Sequence, residues 1–254
     1  MSHFSVAIIH KADQEIEELL APYDENLEVE PYVGRTVQEM INDAKKRVKH
    51  AKEILAQNKD MDEELYRVYN NIARARNAND LYWAERRYTE YFYGKHEYDK
   101  IGHELTTYNP KSKWDWWVIG GRFCDMLDVG GGYRSDEAPI KAIHFDIDKD
   151  VYKECYDWYK DYVDGNKEWN SIYSKEYYQE YYGDAETYAR HCAEFGTWAV
   201  ITPDCEWHEQ GEMGWFGLSG DTPDEAKDWH ETYYNKFIKD ADPELIMTIV
   251  DCHI

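Results

Sequence analysis

Two apolar runs constrain this chain more than anything else in it. "HFSVAIIH" occupies residues 3–10 and "PELIMTIVDCHI" occupies residues 243–254. Both are short, and the first is rich in β-branched residues, which reads as buried strand. An apolar strand near each end points to one central sheet that contains both. Between them the pattern is mixed. The sequence therefore predicts a single α+β domain over 1–254, with a mostly antiparallel central sheet, an inserted helical hairpin at 35–100 and aromatic-rich helices.

The hairpin is read from spacing. Thr36 with Glu39 three residues later makes a capping box. Val37, Ile41, Ala44, Val48, Ala51 and Leu55 then recur at helical intervals, with Lys45, Lys46, Arg47, Lys49 and Lys52 on or beside the polar face. "QNKDMD" (57–62) breaks the helix. A second helix carries Leu65, Val68, Ile72 and Ala75 and continues to Gly94. Beyond it, "KWDWWVIGG" reads as a strand, Gly130–Gly132 as a tight loop and "IKAIHFDID" (140–148) as another strand. Residues 150–195 read as Tyr- and Trp-rich helices. "TWAVITPD" (197–204) is a strand, "EWHEQGEMGWFG" (206–217) a hairpin continuation, and Thr222-Pro223 the start of a helix to about Asp240.

Charge limits function. The chain carries a net −23, which disfavours generic binding to nucleic acid or an anionic membrane. The charge is uneven. Residues 35–100 hold fourteen Lys/Arg against twelve acids, whereas 135–254 hold ten against twenty-eight. An anionic ligand is best placed in the near-neutral middle. Five widely spaced cysteines with no C-x-x-C argue against a disulfide framework or a zinc ribbon and fit a reducing cytoplasm. No signal peptide and no membrane span is legible.

Within the middle, "NPKSKWDWWVIGGRF" (109–123) concentrates the chemistry. Lys111, Lys113 and Arg122 offer charge for phosphate, and Arg122 can grip it through two parallel hydrogen bonds. Trp114, Trp116 and Trp117 offer ring faces for a base. In an extended strand, Trp114 and Trp116 share one face, opposite Asp115 and Trp117. Gly120 and Gly121 allow close backbone approach with N–H donors. Against this, a strand with three tryptophans is more often core. "DVGGGYR" (128–134) lacks any phosphate-loop signature and reads as a simple loop. His3, His10, Asp251, Cys252 and His253 lie at strand ends and converge only if the two strands are neighbours. Asp146 and Asp148 would share a strand face. Polar strand ends and an exposed face account for these groups, so no metal, cofactor or catalytic residue is assigned.

Five segments together carry a resemblance: "MSHFSVAII", "LAPYDENLEVEPY", "YNPKSKWDWWVIGGRF", "GEMGWFG" and "VDCHI". They resemble an uncharacterised family of bacteriophage and bacterial proteins, along nearly the whole chain. The resemblance implies a protein of the host bacterial cytoplasm, and by analogy a counter-defence role in which a small anionic nucleotide signal is bound and sequestered without cleavage. Two other functions stay open: a metal-dependent hydrolase using His and Asp at strand ends, and an acidic protein-binding inhibitor or nucleic-acid mimic. A homo-oligomer also stays open.

Overall fold

The structure is a computed structural model that describes residues 3–58, 61–165, 167, 168, 171, 173–211 and 222–254. In chain order its strands are β1 (His3–His10), β2 (Tyr32–Arg35), β3 (Glu97–Tyr98), β4 (Glu104–Thr106), β5 (Trp116–Ile119), β6 (Leu127–Asp128), β7 (Arg134–Ser135), β8 (Glu137–Pro139), β9 (Ala199–Ile201), β10 (Trp207–Glu209) and β11 (Ile246–His253). Its helices are α1 (Ile16–Leu20), α2 (Val37–Gln57), α3 (Glu63–Arg74), α4 (Ala78–Tyr93), α5 (Lys149–Tyr162), α6 (Lys175–Tyr182), α7 (Ala185–Ala193) and α8 (Pro223–Phe237). The fold is α+β. The chain divides into two units, residues 1–27 with 110–254, and residues 28–109.

The larger unit is organised by β1 and β11, which pair antiparallel over their full length, His3 opposite His253 and His10 opposite Ile246. The sheet order is β10-β9-β1-β11-β5, with β8 also on β11. Among the described strands of this sheet, β1–β9 is the parallel pair. Strand alternation sorts side chains to two cores. Phe4, Val6, Ile8, Val250 and Cys252 meet Leu19, Leu20, Tyr23 and Trp114 on one face. Ala7, Ile9, Met247 and Ile249 meet Trp229, Tyr233 and Phe237 of α8 on the other. The helices α5 to α7 carry a separate aromatic cluster around Tyr159 and Tyr162.

The smaller unit holds three helices and the sheet β2-β4-β3. The expected capping box at Thr36 and Glu39 starts α2. The second helix of the expected hairpin is instead two, because Asn77 accepts from Asp80 N while the Asp80 carboxylate reaches back to Arg76 N at 3.0 Å. That reciprocal cap ends α3 and starts α4. The pairing of Arg35 with Glu85 (3.0 Å) and Glu104 (2.5 Å) ties β2 to α4 and β4.

One strand expectation fails. "IKAIHFDID" forms a 3₁₀ turn at Ile140–Ala142 and irregular chain after it. Asp148 caps α5 by accepting from Asp150 N and Val151 N, so Asp146 and Asp148 share no strand face. The hairpin continuation is described only as far as residue 211, where β10 pairs β9 antiparallel. Residues 212–217 lie outside the described residues. No helix among the described residues is long and apolar enough to cross a membrane.

Candidate functional site

The register of three strands assembles a polar cluster at one end of the central sheet. His3 stands opposite His253, and β5 adds Trp116 opposite His253 and Val118 opposite Asp251. Period-two alternation puts His3, Asp251, His253, Trp116 and Val118 on the same face. This is the face whose interior holds Ala7, Ile9, Met247 and Ile249, so the cluster is the polar end of that core.

Each imidazole is anchored by a carboxylate. His3 Nδ1 lies 2.8 Å from Asp251 Oδ1, and His253 Nδ1 lies 2.6 Å from Asp115 Oδ1. An ionised carboxylate only accepts, so both rings carry hydrogen on Nδ1 and leave a lone pair on Nε2. The two ring centroids are 5.2 Å apart, edge to face, and Trp116 meets His3 at 6.2 Å. Asp251 is only 1% exposed. A buried carboxylate needs donors on both oxygens, and its Oδ2 accepts from Arg122 N at 3.0 Å. His253 Nε2 is buried without a partner, a state that native interiors rarely leave unexplained.

The Gly-Gly pair makes this possible. Gly120 (φ +68°) and Gly121 (φ +57°) turn the end of β5 into a 3₁₀ turn, Gly121–Phe123, which passes directly over Asp251. A Cβ at Gly121 would lie 2.6 Å from both Cβ and Oδ2 of Asp251 and 2.8 Å from Val118 Cγ1. Gly121→Ala is therefore expected to lower stability by about 1–3 kcal/mol through left-handed strain and steric displacement. It is also expected to loosen the His3–Asp251 contact. Chemical denaturation measures the first effect; the His3 ring resonances report the second. An alanine variant as stable as the parent would contradict the close approach.

The central segment is thus divided. Trp116, Gly120, Gly121 and Arg122 belong to the histidine cluster. Trp116 is half exposed. Among the described residues the Arg122 guanidinium makes no ion pair. The Gly120 N–H is not available to a ligand, because it donates to Ile249 O at 2.9 Å inside the sheet. Trp117 faces the opposite way, against the core that contains Cys252. Trp114 does not share a face with Trp116, as an extended strand would require. The strand starts only at Trp116; before it, Lys113 and Trp114 bond to Tyr23 O. Trp114 is consequently core, 7% exposed, with its indole donating to Leu20 O at 3.2 Å. Lys113 pairs with Glu209 at 2.5 Å beside a small cavity of about 170 Å³ that is also lined by Phe4, Trp198, Trp207 and Ile254. Lys111 is exposed on the preceding loop.

The remaining candidates are structural. His10 is buried, with Nε2 2.9 Å from Thr248 Oγ1 and Nδ1 2.9 Å from Lys11 O. Cys252 sits on the far face of β11, and burial pushes its thiol pKa up. The 128–134 glycine loop closes β6 on β7, with Val129 N bonded to Tyr133 O and Tyr133 N to Gly130 O. Among the described residues, no three His, Cys, Asp or Glu side chains stand together as a metal ion would need. All five cysteines are free.

A second histidine pair was not legible in the sequence. His191 of α7 and His230 of α8 have ring centroids 3.9 Å apart. Burial lowers both pKa values, that of His230 to about 3, with His191 as a further cause. Both rings line a cavity of about 730 Å³ with Cys124, Asp128, His144 and Phe195. Thirty-nine residues separate the two, and only the packing of α7 near α8 could reveal the pair.

No protein-family model, no curated protein and no solved structure matches the chain.

Proposed function

We propose that the chain binds a small anionic nucleotide on the histidine-bearing end of its central sheet. One observation carries this reading: two carboxylate-anchored imidazoles stand 5.2 Å apart beside the half-exposed Trp116, with Arg122 leaving the same turn. Trp116 supplies a ring face for a base, a contact worth roughly 1–3 kcal/mol. Arg122 supplies donors to phosphate, and a ligand hydroxyl can donate to the lone pair that an Nδ1-protonated His3 leaves on Nε2. Arg122 matters more than its single charge suggests, because the surrounding unit is acidic. A chain that held such a ligand intact would act as a sink for a nucleotide signal in the host cytoplasm, the counter-defence role that the phage resemblance implies.

The carboxylate–imidazole pairs also favour a second reading, an enzyme that uses the His and Asp groups at the strand ends for acid–base chemistry. A carboxylate that fixes the tautomer of a histidine is a common support for proton transfer. One experiment addresses both. The protein is incubated with cyclic and linear nucleotides, its melting temperature is measured, and the ligand is then released and analysed. A bound nucleotide at about 1 mM or below should raise the melting temperature. Trp116→Ala and Arg122→Ala should reduce the rise. Ligand recovered intact supports sequestration, and ligand recovered cleaved supports the enzyme. No shift with any nucleotide sinks both.

A further inference from the structure

The unit of residues 28–109 contains a second place where guanidinium groups and an aromatic face converge, independent of the sheet. Its charge differs from that of the rest of the chain. Fourteen Lys/Arg stand against fifteen acids here, compared with fifteen against thirty-seven elsewhere. An anion approaching this unit meets far less repulsion from its own surface.

Between α3 and α4 lies an open cleft of about 550 Å³. Asn70, Asn71 and Arg74 line one wall, and Trp83, Arg86 and Arg87 the other. The spacing is what a helix face requires: Asn70 to Arg74 and Trp83 to Arg87 are four apart, and Trp83 to Arg86 three. Trp83 is 54% exposed, although a ring of that size is ordinarily covered. Arg86 is held in place. Its guanidinium lies 3.6 Å from the centroid of the Tyr98 ring and 4.9 Å from that of Trp83, with Glu90 at 3.8 Å. Arg74 and Arg87 make no ion pair among the described residues.

The two acids in the cleft do not neutralise that pair. Asp80 is engaged by Arg76 N and by the Asn77 side chain in the cap of α4, and Glu90 faces Arg86. Arg74 and Arg87 line one cleft without an ion pair among the described residues, and Arg87 also borders an adjoining cavity lined by Glu63 and Glu64. Guanidinium is also the group best suited to phosphate, through paired N–H donors. The exposed indole beside it accepts a planar ring.

We infer that this cleft is a binding site for a nucleoside polyphosphate, with the base against Trp83, the phosphates between Arg74 and Arg87, and the Asn70 and Asn71 amides at its edge. The site is separate from the one around Trp116, and neither depends on the other.

The test uses the full chain and a fluorescently labelled nucleoside diphosphate, followed by anisotropy. Measured in a Trp116→Ala background, so that the sheet site does not contribute, binding should weaken about ten-fold or more in Arg74→Ala/Arg87→Ala and in Trp83→Ala. Inorganic pyrophosphate should compete. Raising salt from about 50 to 200 mM should weaken binding, since paired charges carry it. The changed side chains are exposed, and circular dichroism verifies that the helices persist in each variant. Binding that survives both Arg74→Ala/Arg87→Ala and Trp83→Ala overturns the inference, as does no binding by the parent. Binding by the unmodified chain that is absent from the Trp116→Ala background overturns it too, and at the same time supports the sheet site.

Discussion

Arg35→Ala is expected to destabilise the helical unit by about 3–5 kcal/mol, the cost of leaving a buried carboxylate without its main partner. The carboxylate is Glu85, whose side chain is fully buried in α4. Arg35 Nη1 reaches Glu85 Oε1 at 3.0 Å, its Nη2 reaches Glu104 at 2.5 Å and Thr89 Oγ1 at 2.8 Å. Burial works against the charge on Arg35, but Glu104 and Glu85 outweigh it and its pKa is raised. Once Arg35 is gone, Glu85 retains only Arg47 at 3.3 Å, and Glu104 retains His96 at 3.1 Å. Hydrogen exchange of the amides in α2, α3 and α4 measures the loss directly. Adding Glu85→Gln should recover part of it, because a neutral amide is cheaper to bury than a lone carboxylate. A loss below about 1 kcal/mol, the level of an exposed pair, would show that the network contributes little.

Acidification from pH 7 to pH 5 is expected to cost the larger unit about 2 kcal/mol through His230 alone. The sign follows from the direction of the shift. The folded-state pKa is about 3, far below the ordinary value of 6.5. Between those values the unfolded chain binds a proton that the folded chain refuses. Stability is therefore complete above about pH 6.5 and falls as pH drops toward 3. His191, also shifted down by burial, adds to the loss in the same direction. The surroundings offer mixed compensation, since Arg190, Glu194, Lys227 and Glu231 all line the adjoining cavity. Carboxylates held low by helix caps, such as Asp184, act in a lower window, below about pH 4. Urea denaturation at several pH values separates the two. His230→Asn should flatten the slope between pH 5 and 6.5; an unchanged slope would place the effect elsewhere.

The sheet frame was legible because strand period and burial agree over eight residues at β1 and again at β11. The capping box at Thr36 and the helix start at Thr222-Pro223 were legible because they depend on near neighbours in the chain, and the structure adds a capping box of Thr222 with Glu225. The break at Ala75–Asn77 was missed because Asn and Asp are also acceptable inside a helix, and only their reciprocal bonds reveal a cap. "IKAIHFDID" misled because alternation over so few residues is satisfied equally by irregular chain capped by Asp148. For the candidate site, Trp116, Gly120, Gly121 and Arg122 all lie in the one segment that its composition singles out. His3, Asp251 and His253 were noted as convergent only if their strands were neighbours, and the β1–β11 register makes them so. Asp115 escaped notice as a histidine partner, because that role depends on the chain bending before β5. Trp114 was misassigned for the same reason.

The pairing of β1 with β11 has a further consequence for the order in which this protein is built. Residues 28–109 are contiguous and make up one compact unit. β1 is made before every other strand and helix named here, yet its long partner, residues 246–253, comes more than 230 residues later. At ribosomal rates of about 5–20 residues per second, β1 waits on the order of ten to fifty seconds with an apolar edge unpaired. The helical unit can mature during synthesis, whereas the sheet, and with it the His3–Asp251 and His253–Asp115 pairs, can form only when synthesis has reached β11. Chaperone dependence should accordingly fall on the sheet unit rather than on the helices.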